Sequence, residues 1–485
     1  MNTARAGSAV PSDASDRGDC DRTYTGRPPA LLLVGVLALA GCKSLPLVDN
    51  EQAGTAAQTV RLDAAHGPLS RQQSAAILGE IKRKSGAENI LEKHIALLQS
   101  KVDSPLVVGN KVTLLQDDAA IYRAMRQAIR AAKHHVNLET YIFSADQAGQ
   151  EFSDLLLAKR GEGVQVNLIY DSFGSLATPR EFFQRLKDGG VNVLEFNPVD
   201  PIQAGRRWSI NHRDHRKLLL IDGRVAILGS INLYDNSSSG SQAPPRTRAG
   251  RLEPAPGWRE TNIMIEGPAV AGFQQLFLDT WTRQKGPALN RGSGYFPVLG
   301  PRGHDIVLAL GSNADSRDHL IYITLVSAIK SAEAYVHLTN AYFVPDPQLI
   351  EALRDAASRG VDVKLILPGK SDSWLSLHAG RSHYEDLLEH DVKIFERQGA
   401  IMHSKTVVID GVWSTVGSTN LDWRSFVHND ELNAVVLGRD FAQQMEAWFQ
   451  ADLAGSTQVL LKSWQWRSPI SRLMEWGARM WQYWL

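Results

Sequence analysis

Apolar positions early in the chain recur with a helical period. Ile77 and Ile81, then Leu91, Ile95 and Leu98, fall on one helical face, and Gly86 interrupts the run. Ser70 followed by Gln73 has the form of a capping box, which sets the start of that helix. Such a stripe predicts packing rather than chemistry. Between Asp117 and Lys133 a second amphipathic helix turns Ile121, Met125, Ala128 and Ile129 inward. The pattern then changes to VNLETYIF at 136–143, a strand, followed by a helix ending near Gly163 and the strand VQVNLIYD at 164–171. The same plan returns later. YVHLTNAYF at 335–343 predicts a strand, Leu349–Ser358 a helix, and VDVKLILP at 361–368 a second strand. Strand–helix–strand alternation, given twice, predicts an α/β protein of two similar lobes.

Each lobe also carries one copy of a tighter pattern. HRKLLLID at 215–222 and HSKTVVID at 403–410 share H-x-K-x4-D, and both lead after the same interval to Gly-Ser-x-Asn, at 229–232 and 417–420. Six shared identities, each expected at roughly one residue in twenty, do not recur in register by chance. His and Lys two apart share one face of an extended chain. The apolar runs after them are buried strands, and Asp222-Gly223 and Asp410-Gly411 are type I′ turn signals. With those two residues as the turn, Ile221 pairs with Arg224, His215 lies opposite Ser230 and His403 opposite Ser418. Asn232 and Asn420 then point the same way. His, Lys, Ser and Asn are donors that suit phosphate oxygens. Asp222 and Asp410, an odd seven positions from their histidines, face away and fix the turn.

These residues resemble the phospholipase D superfamily, and within it the bacterial cardiolipin synthases. The resemblance is carried by both motifs and by LETYIF at 138–143, NHRDHRKLLLIDGR at 211–224, WRETNIMIEGPAV at 258–270, YFVPD at 342–346 and NLDWRSFVHNDELN at 420–433. It runs from about Pro105 to about Leu453. It departs in having Glu260 where an Asp is expected and a long polar insert after the first Gly-Ser-x-Asn. It also lacks the two N-terminal membrane-spanning helices that many such synthases carry.

The resemblance implies two α/β sandwich lobes related by a pseudo-twofold axis around one active site. It implies a catalytic set of His215, Lys217, Asp222, Glu260, His403, Lys405, Asp410 and Glu431, with Ser230, Asn232, Ser418 and Asn420 binding phosphate. Glu260 is expected to orient His215, and Glu431 to orient His403. One imidazole, His215 by resemblance, attacks phosphorus, and the other moves protons. The fixed cations make a metal unnecessary, and no cofactor is expected.

Lys plus Arg equals Asp plus Glu at 52 each. Zero net charge disfavours a general nucleic-acid binder. Arg206, Arg207, Arg213, Arg216 and Lys217 nevertheless form a local basic approach to the first motif. ALLLVGVLALA before LAGC at 39–42 is too short to span a bilayer as a helix and fits a signal peptide with a lipobox, making Cys42 the lipidated residue. The last stretch interleaves Trp464, Trp466, Trp476, Trp481, Tyr483 and Trp484 with Lys462, Arg467, Arg472 and Arg479, a composition that suits a membrane interface.

The expected organisation is therefore a lipoprotein signal peptide at 1–41, a tether and helix at 42–105, lobe one at 106–285, a connector at 286–304, lobe two at 305–460 and an amphipathic tail at 461–485. SSSGSQAPPRTRAGRLEPAPG at 237–257 reads as a mobile loop. The expected partners are a membrane surface and a membrane phospholipid, phosphatidylglycerol first, not nucleic acid. The expected location is the bacterial envelope, lipid-anchored and facing the periplasm. Water as acceptor would make the enzyme a hydrolase releasing phosphatidic acid; a nuclease and a silent lipid-binding lipoprotein are the other readings.

Overall fold

A computed structural model describes residues 44–49, 60–101, 104–200, 211–235, 246–248, 251–253, 258–292, 294–315 and 318–485. Cys42, the leader before it, Arg206 and Arg207 lie outside the described residues, as does most of 237–257, where Arg246–Arg248 and Arg251–Glu253 pair antiparallel. Leu45–Leu485 forms one compact unit.

Lobe one is built on β1 (Leu106–Gln116), β2 (His135–Thr140), β3 (Gln165–Asp171), β4 (Asn192–Phe196), β5 (Leu218–Ile221), β6 (Val225–Gly229) and β7 (Thr261–Glu266). Lobe two is built on β8 (Asp305–Ser312), β9 (Tyr335–Thr339), β10 (Asp362–Pro368), β11 (Lys393–Arg397), β12 (Thr406–Ile409), β13 (Trp413–Gly417) and β14 (Asn429–Leu437). The spatial order is β4-β3-β2-β5-β6-β7-β1 in the first lobe. It is β11-β10-β9-β12-β13-β14-β8 in the second, the same order shifted by seven. The repeat seen in the motifs thus extends to seven strands in each lobe; beyond it, Ser456–Val459 pairs with β11. β1 and β8 pair antiparallel, so the sheets join edge to edge and neither leaves that edge open.

Helices cover both faces. Asp118–Ala131 buries Ile121, Met125 and Ile129 as the periodicity predicts, with Asp117 as its N-cap. The Ser70–Gln73 capping box forms at the start of Arg71–Ser85, and Gly86 caps its end in the left-handed conformation, φ 74°. Part of the expected tether is structured. Leu62–Ala64 pairs with Gly67–Pro68 and runs parallel to the start of β1, because Leu62 is fully buried in the core of lobe two.

Both motif hairpins have the predicted turn conformation. Asp222 and Gly223 have φ 54° and 62°, Asp410 and Gly411 52° and 64°. Arg224 N–H donates to Ile221 O and Val412 N–H to Ile409 O. The ladder, however, pairs Ile221 with Val225 and Ile409 with Trp413, one residue beyond the expected register. Arg224 and Val412 are left out of the ladder as a one-residue bulge, and a shift of one exchanges faces beyond it.

Candidate active site

The aspartates of the motifs do not reach the reaction site. Asp222 accepts from the backbone N–H of Lys133, His134 and His135, each at 2.8 Å. Asp410 does the same for Glu333, Ala334 and Tyr335 at 2.8, 2.8 and 2.9 Å. Each clamps the turn onto the loop entering its lobe's second strand, as their odd offset from the histidines suggests.

His215 and His403 lie in the extended segments just before β5 and β12, and both line one cavity of about 1150 Å³. Asn232 and Asn420 line it with them. Lys217 and Lys405 are buried behind, each ammonium donating to the carbonyl of its own histidine, at 2.5 and 2.6 Å. Tyr141 presents its edge to His215 at 5.1 Å and lies under Lys217 Nζ. Trp258 stands edge to face with His403 at 4.9 Å.

The glutamates are exchanged relative to expectation. His215 Nδ1 meets both oxygens of Glu431 at 3.1 Å, and His403 Nδ1 meets those of Glu260 at 2.9 and 3.0 Å. The cause is backbone pairing across the lobes. Arg213–Asp214 runs parallel to Asn429–Asp430, and His215 N–H donates to Asp430 O. Arg259 bridges Met402 in the mirror relation, and His403 N–H donates to Arg259 O. Each histidine segment is therefore tied to the chain beside the other lobe's glutamate. Single-sequence spacing carries no signal for that exchange.

The serines are also displaced from their expected place beside the phosphate. Ser418 Oγ donates to Glu431 at 2.5 Å, and Ser230 Oγ donates to Thr261 O at 3.2 Å beside Glu260. The one-residue bulge and the preceding glycine put them there. A side chain at Gly417 would stand 2.1 Å from Asn433 Oδ1, and one at Gly229 2.4 Å from Thr261 O. The Gly-Ser pair thus lets β14 pass close enough for Ser418 to satisfy a buried carboxylate, and β7 close enough for Ser230 to reach Thr261 O.

Electrostatically the two dyads differ. Burial, then the nearby Lys217 and Lys405, push His215 well below the ordinary imidazole range. Burial raises Glu431 to about 7 against the opposing pull of Lys217. For Glu260, burial is outweighed by His403 and its hydrogen bond, and the carboxyl is held below its usual range. His403 is lowered by burial, which Glu260 opposes. Burial also lowers Lys217 to about 7 and Lys405 to about 8.

Sequence reasoning took Arg216 for part of a basic approach. It is instead a buried lobe-to-lobe strut that bonds Glu431 O, Thr280 Oγ1 and Ser312 O. Its position between His215 and Lys217 turns it to the opposite face, which alternation could have shown. Other cavity residues were missed as site residues: Tyr141, Arg213, Trp258, Tyr342, Asp372, Arg424 and Trp484. Tyr141, Arg213, Trp258, Tyr342 and Arg424 sit inside the segments that carry the resemblance; Asp372 and Trp484 had no such signal.

The family described as "Cardiolipin synthase, PLD-like domain" matches residues 125–242 and 325–453, one segment per motif copy. A cardiolipin synthase of Halalkalibacterium halodurans is 30% identical over 403 residues, covering 83% of this chain and 77% of the relative. Cardiolipin synthase 1 of Bacillus anthracis is 31% identical over 373 residues, covering 75% and 70%. The crystal structure of a phosphatidylserine synthase from Haemophilus influenzae superposes with a TM-score of 0.61 at 12% identity, covering 81% of this chain and all of that one, a likeness of fold. Paired motifs facing one cavity, in a fold that repeats strand for strand, agree with those matches: the chain belongs to the cardiolipin synthase family of phospholipase D-like enzymes.

Proposed function

We propose that the protein is a phosphatidyltransferase that joins two phosphatidylglycerols into cardiolipin and releases glycerol. One observation carries this reading: two imidazoles face a single cavity, each held by a buried carboxylate from the opposite lobe. In the reaction, Nε2 of one histidine attacks the donor's phosphorus while the other imidazole protonates the departing glycerol oxygen. The second imidazole then takes the proton of the incoming hydroxyl, whose oxygen displaces the histidine. Lys217, Lys405, Asn232 and Asn420 stabilise the phosphoryl oxygens. We assign attack to His215. It is the imidazole held more firmly neutral, whereas His403 faces an ionised Glu260 that favours its protonated form. Trapping the adduct and mapping it tests the assignment; phosphate on His403 reverses the roles.

The lipid substrate places the cavity at a bilayer. Among the described residues no helix is long and apolar enough to cross a membrane. The C-terminal helix Pro469–Arg479 offers another means of contact. It turns Glu475 and Ala478 inward, with Arg467 paired to Glu475 and Glu385, and presents Ile470, Leu473, Trp476 and Met480 to solvent beside exposed Arg472 and Arg479. Trp466 is 85% exposed, and Trp484 reaches the cavity rim. Such a face suits an anionic lipid surface. Lipidation at Cys42 would add an envelope anchor on the periplasmic side; labelled fatty acid incorporation lost in Cys42→Ala tests it.

The decisive assay gives the purified full chain labelled phosphatidylglycerol vesicles and, separately, plasmid DNA, with His215→Ala and His403→Ala as controls. Cardiolipin with released glycerol is expected. Phosphatidic acid as the main product makes the enzyme a hydrolase, nicked DNA makes it a nuclease, and no product leaves a lipid-binding protein.

A further inference from the structure

The cavity is polarised. On the His403 side its polar lining is Tyr342, Asp372, Ser373 and Ser376, with Tyr342 donating to Asp372 at 2.6 Å. On the His215 side stand two guanidinium groups, Arg213 and Arg424. Both act on Tyr141, whose ring meets His215, and their like charges act on each other.

Arg213 is ion-paired with Asp171, and Asp422 lies near enough to act on Arg424; both carboxylates also accept backbone N–H groups. Asp171, 3.7 Å from Arg213, accepts from the backbone N–H of Phe173, Gly174 and Asp214. Asp422 accepts from Ser425 N–H. Among the described residues the Arg424 guanidinium has neither a hydrogen bond nor an ion pair, although its backbone N–H is anchored to Leu485 O. The two lysines already serve the phosphate between the histidines. A second cationic cluster in the same cavity exceeds what one phosphodiester needs.

Given the transferase reading above, on which this inference rests, the reaction brings a second phosphodiester. The acceptor lipid carries its own phosphate, separated from its reacting hydroxyl by a three-carbon glycerol. We propose that Arg424, backed by Arg213, binds the phosphodiester of the acceptor lipid and so presents its free hydroxyl to the phosphorus on the histidine. The hydroxyl oxygen then forms the new O–P bond, the P–N bond breaks, and the proton passes to the other imidazole. Guanidinium suits the task because its fork matches two phosphate oxygens at once. Water and neutral alcohols lack that handle, so the subsite decides between transfer and hydrolysis.

The experiment offers the full chain phosphatidylglycerol vesicles in ethanol-containing buffer and measures the ratio of cardiolipin to phosphatidylethanol plus phosphatidic acid. Arg424→Gln is expected to lower that ratio by about tenfold or more, the scale of one charged hydrogen bond, and Arg424→Lys to restore part of it. An unchanged ratio in Arg424→Gln overturns the subsite. A second measurement needs no variant. With the wild-type enzyme, glycerol competes against the methyl phosphodiester of glycerol as a soluble acceptor. Preference for the anionic acceptor by about tenfold in kcat/KM is expected; equal use overturns the proposal. A wild-type enzyme that makes phosphatidylethanol and phosphatidic acid but never cardiolipin overturns the functional reading itself, a separate outcome.

Discussion

The two halves of the active site are built alike and charged differently. Each has a histidine, a lysine behind it, an aromatic edge beside it and a glutamate lent by the other lobe. In the His403 half, Glu260 is held ionised by its imidazole. In the His215 half, burial outweighs the attraction and Glu431 rises to about 7. On the proposed mechanism, near-identical frames give one imidazole to attack and one to carry a proton. Matched geometry need not mean matched chemistry, because in a buried site the balance of desolvation and neighbouring charge sets the protonation state.

The largest effect that would break this comparison comes from removing the imidazoles. His215→Ala and His403→Ala should each lower kcat by about 10⁴ or more. With a nitrophenyl ester as donor, whose leaving group needs no protonation, His403→Ala should still form a covalent phosphoryl adduct and His215→Ala should not. Quenched-flow trapping reads the difference. Adducts in His215→Ala but not in His403→Ala would exchange the two roles.

Next in size, Glu260→Gln should cost roughly 10² in kcat and Glu431→Gln roughly tenfold, since only the first removes a firmly ionised partner. Equal losses would erase the asymmetry.

The third test is pH. In kcat/KM, which reports the free enzyme, acid protonation of His215 lies below the usual imidazole range, so the acid limb sits low. Rising pH first strips the proton from His403, the proposed acid, which burial lowers, and then from Lys217 near 7 and Lys405 near 8, so activity falls in steps on the alkaline side. Lys217→Arg should remove the step near 7 and leave the His403 step in place, since guanidinium stays charged. A profile that stays flat through this range counts against the assignment.

The smallest effect concerns stability. Ser418→Ala leaves a buried Glu431 oxygen one donor short and should destabilise by about 1–3 kcal/mol in chemical denaturation. Ser230→Ala should cost a similar amount if the serines play equivalent parts.

Much of this was readable in the chain because it rests on local rules. The Asp-Gly turns need positive φ at two consecutive residues, and the motifs signal it. The two-lobe α/β plan follows from repeated strand–helix–strand periodicity, and the aspartates' scaffold role from their odd offset. The residues that proved harder involve distance in sequence. Glu431 reaches His215 across 216 positions, and Arg424 and Trp484 join the cavity from the other lobe and the C-terminal segment. The one-residue bulge after each turn lies outside a register that assumes perfect pairing, and it turns Ser418 to the Glu431 carboxylate and Ser230 to the Thr261 backbone.

By itself the sequence determined the family and the duplicated motifs, since repeated identities and short-range periodicity are properties of the chain alone. Only the tertiary structure decided which carboxylate meets which imidazole and brought Arg213 and Arg424 into one cavity. Those depend on strands from opposite lobes pairing beside the cavity, and on burial that no local spacing encodes.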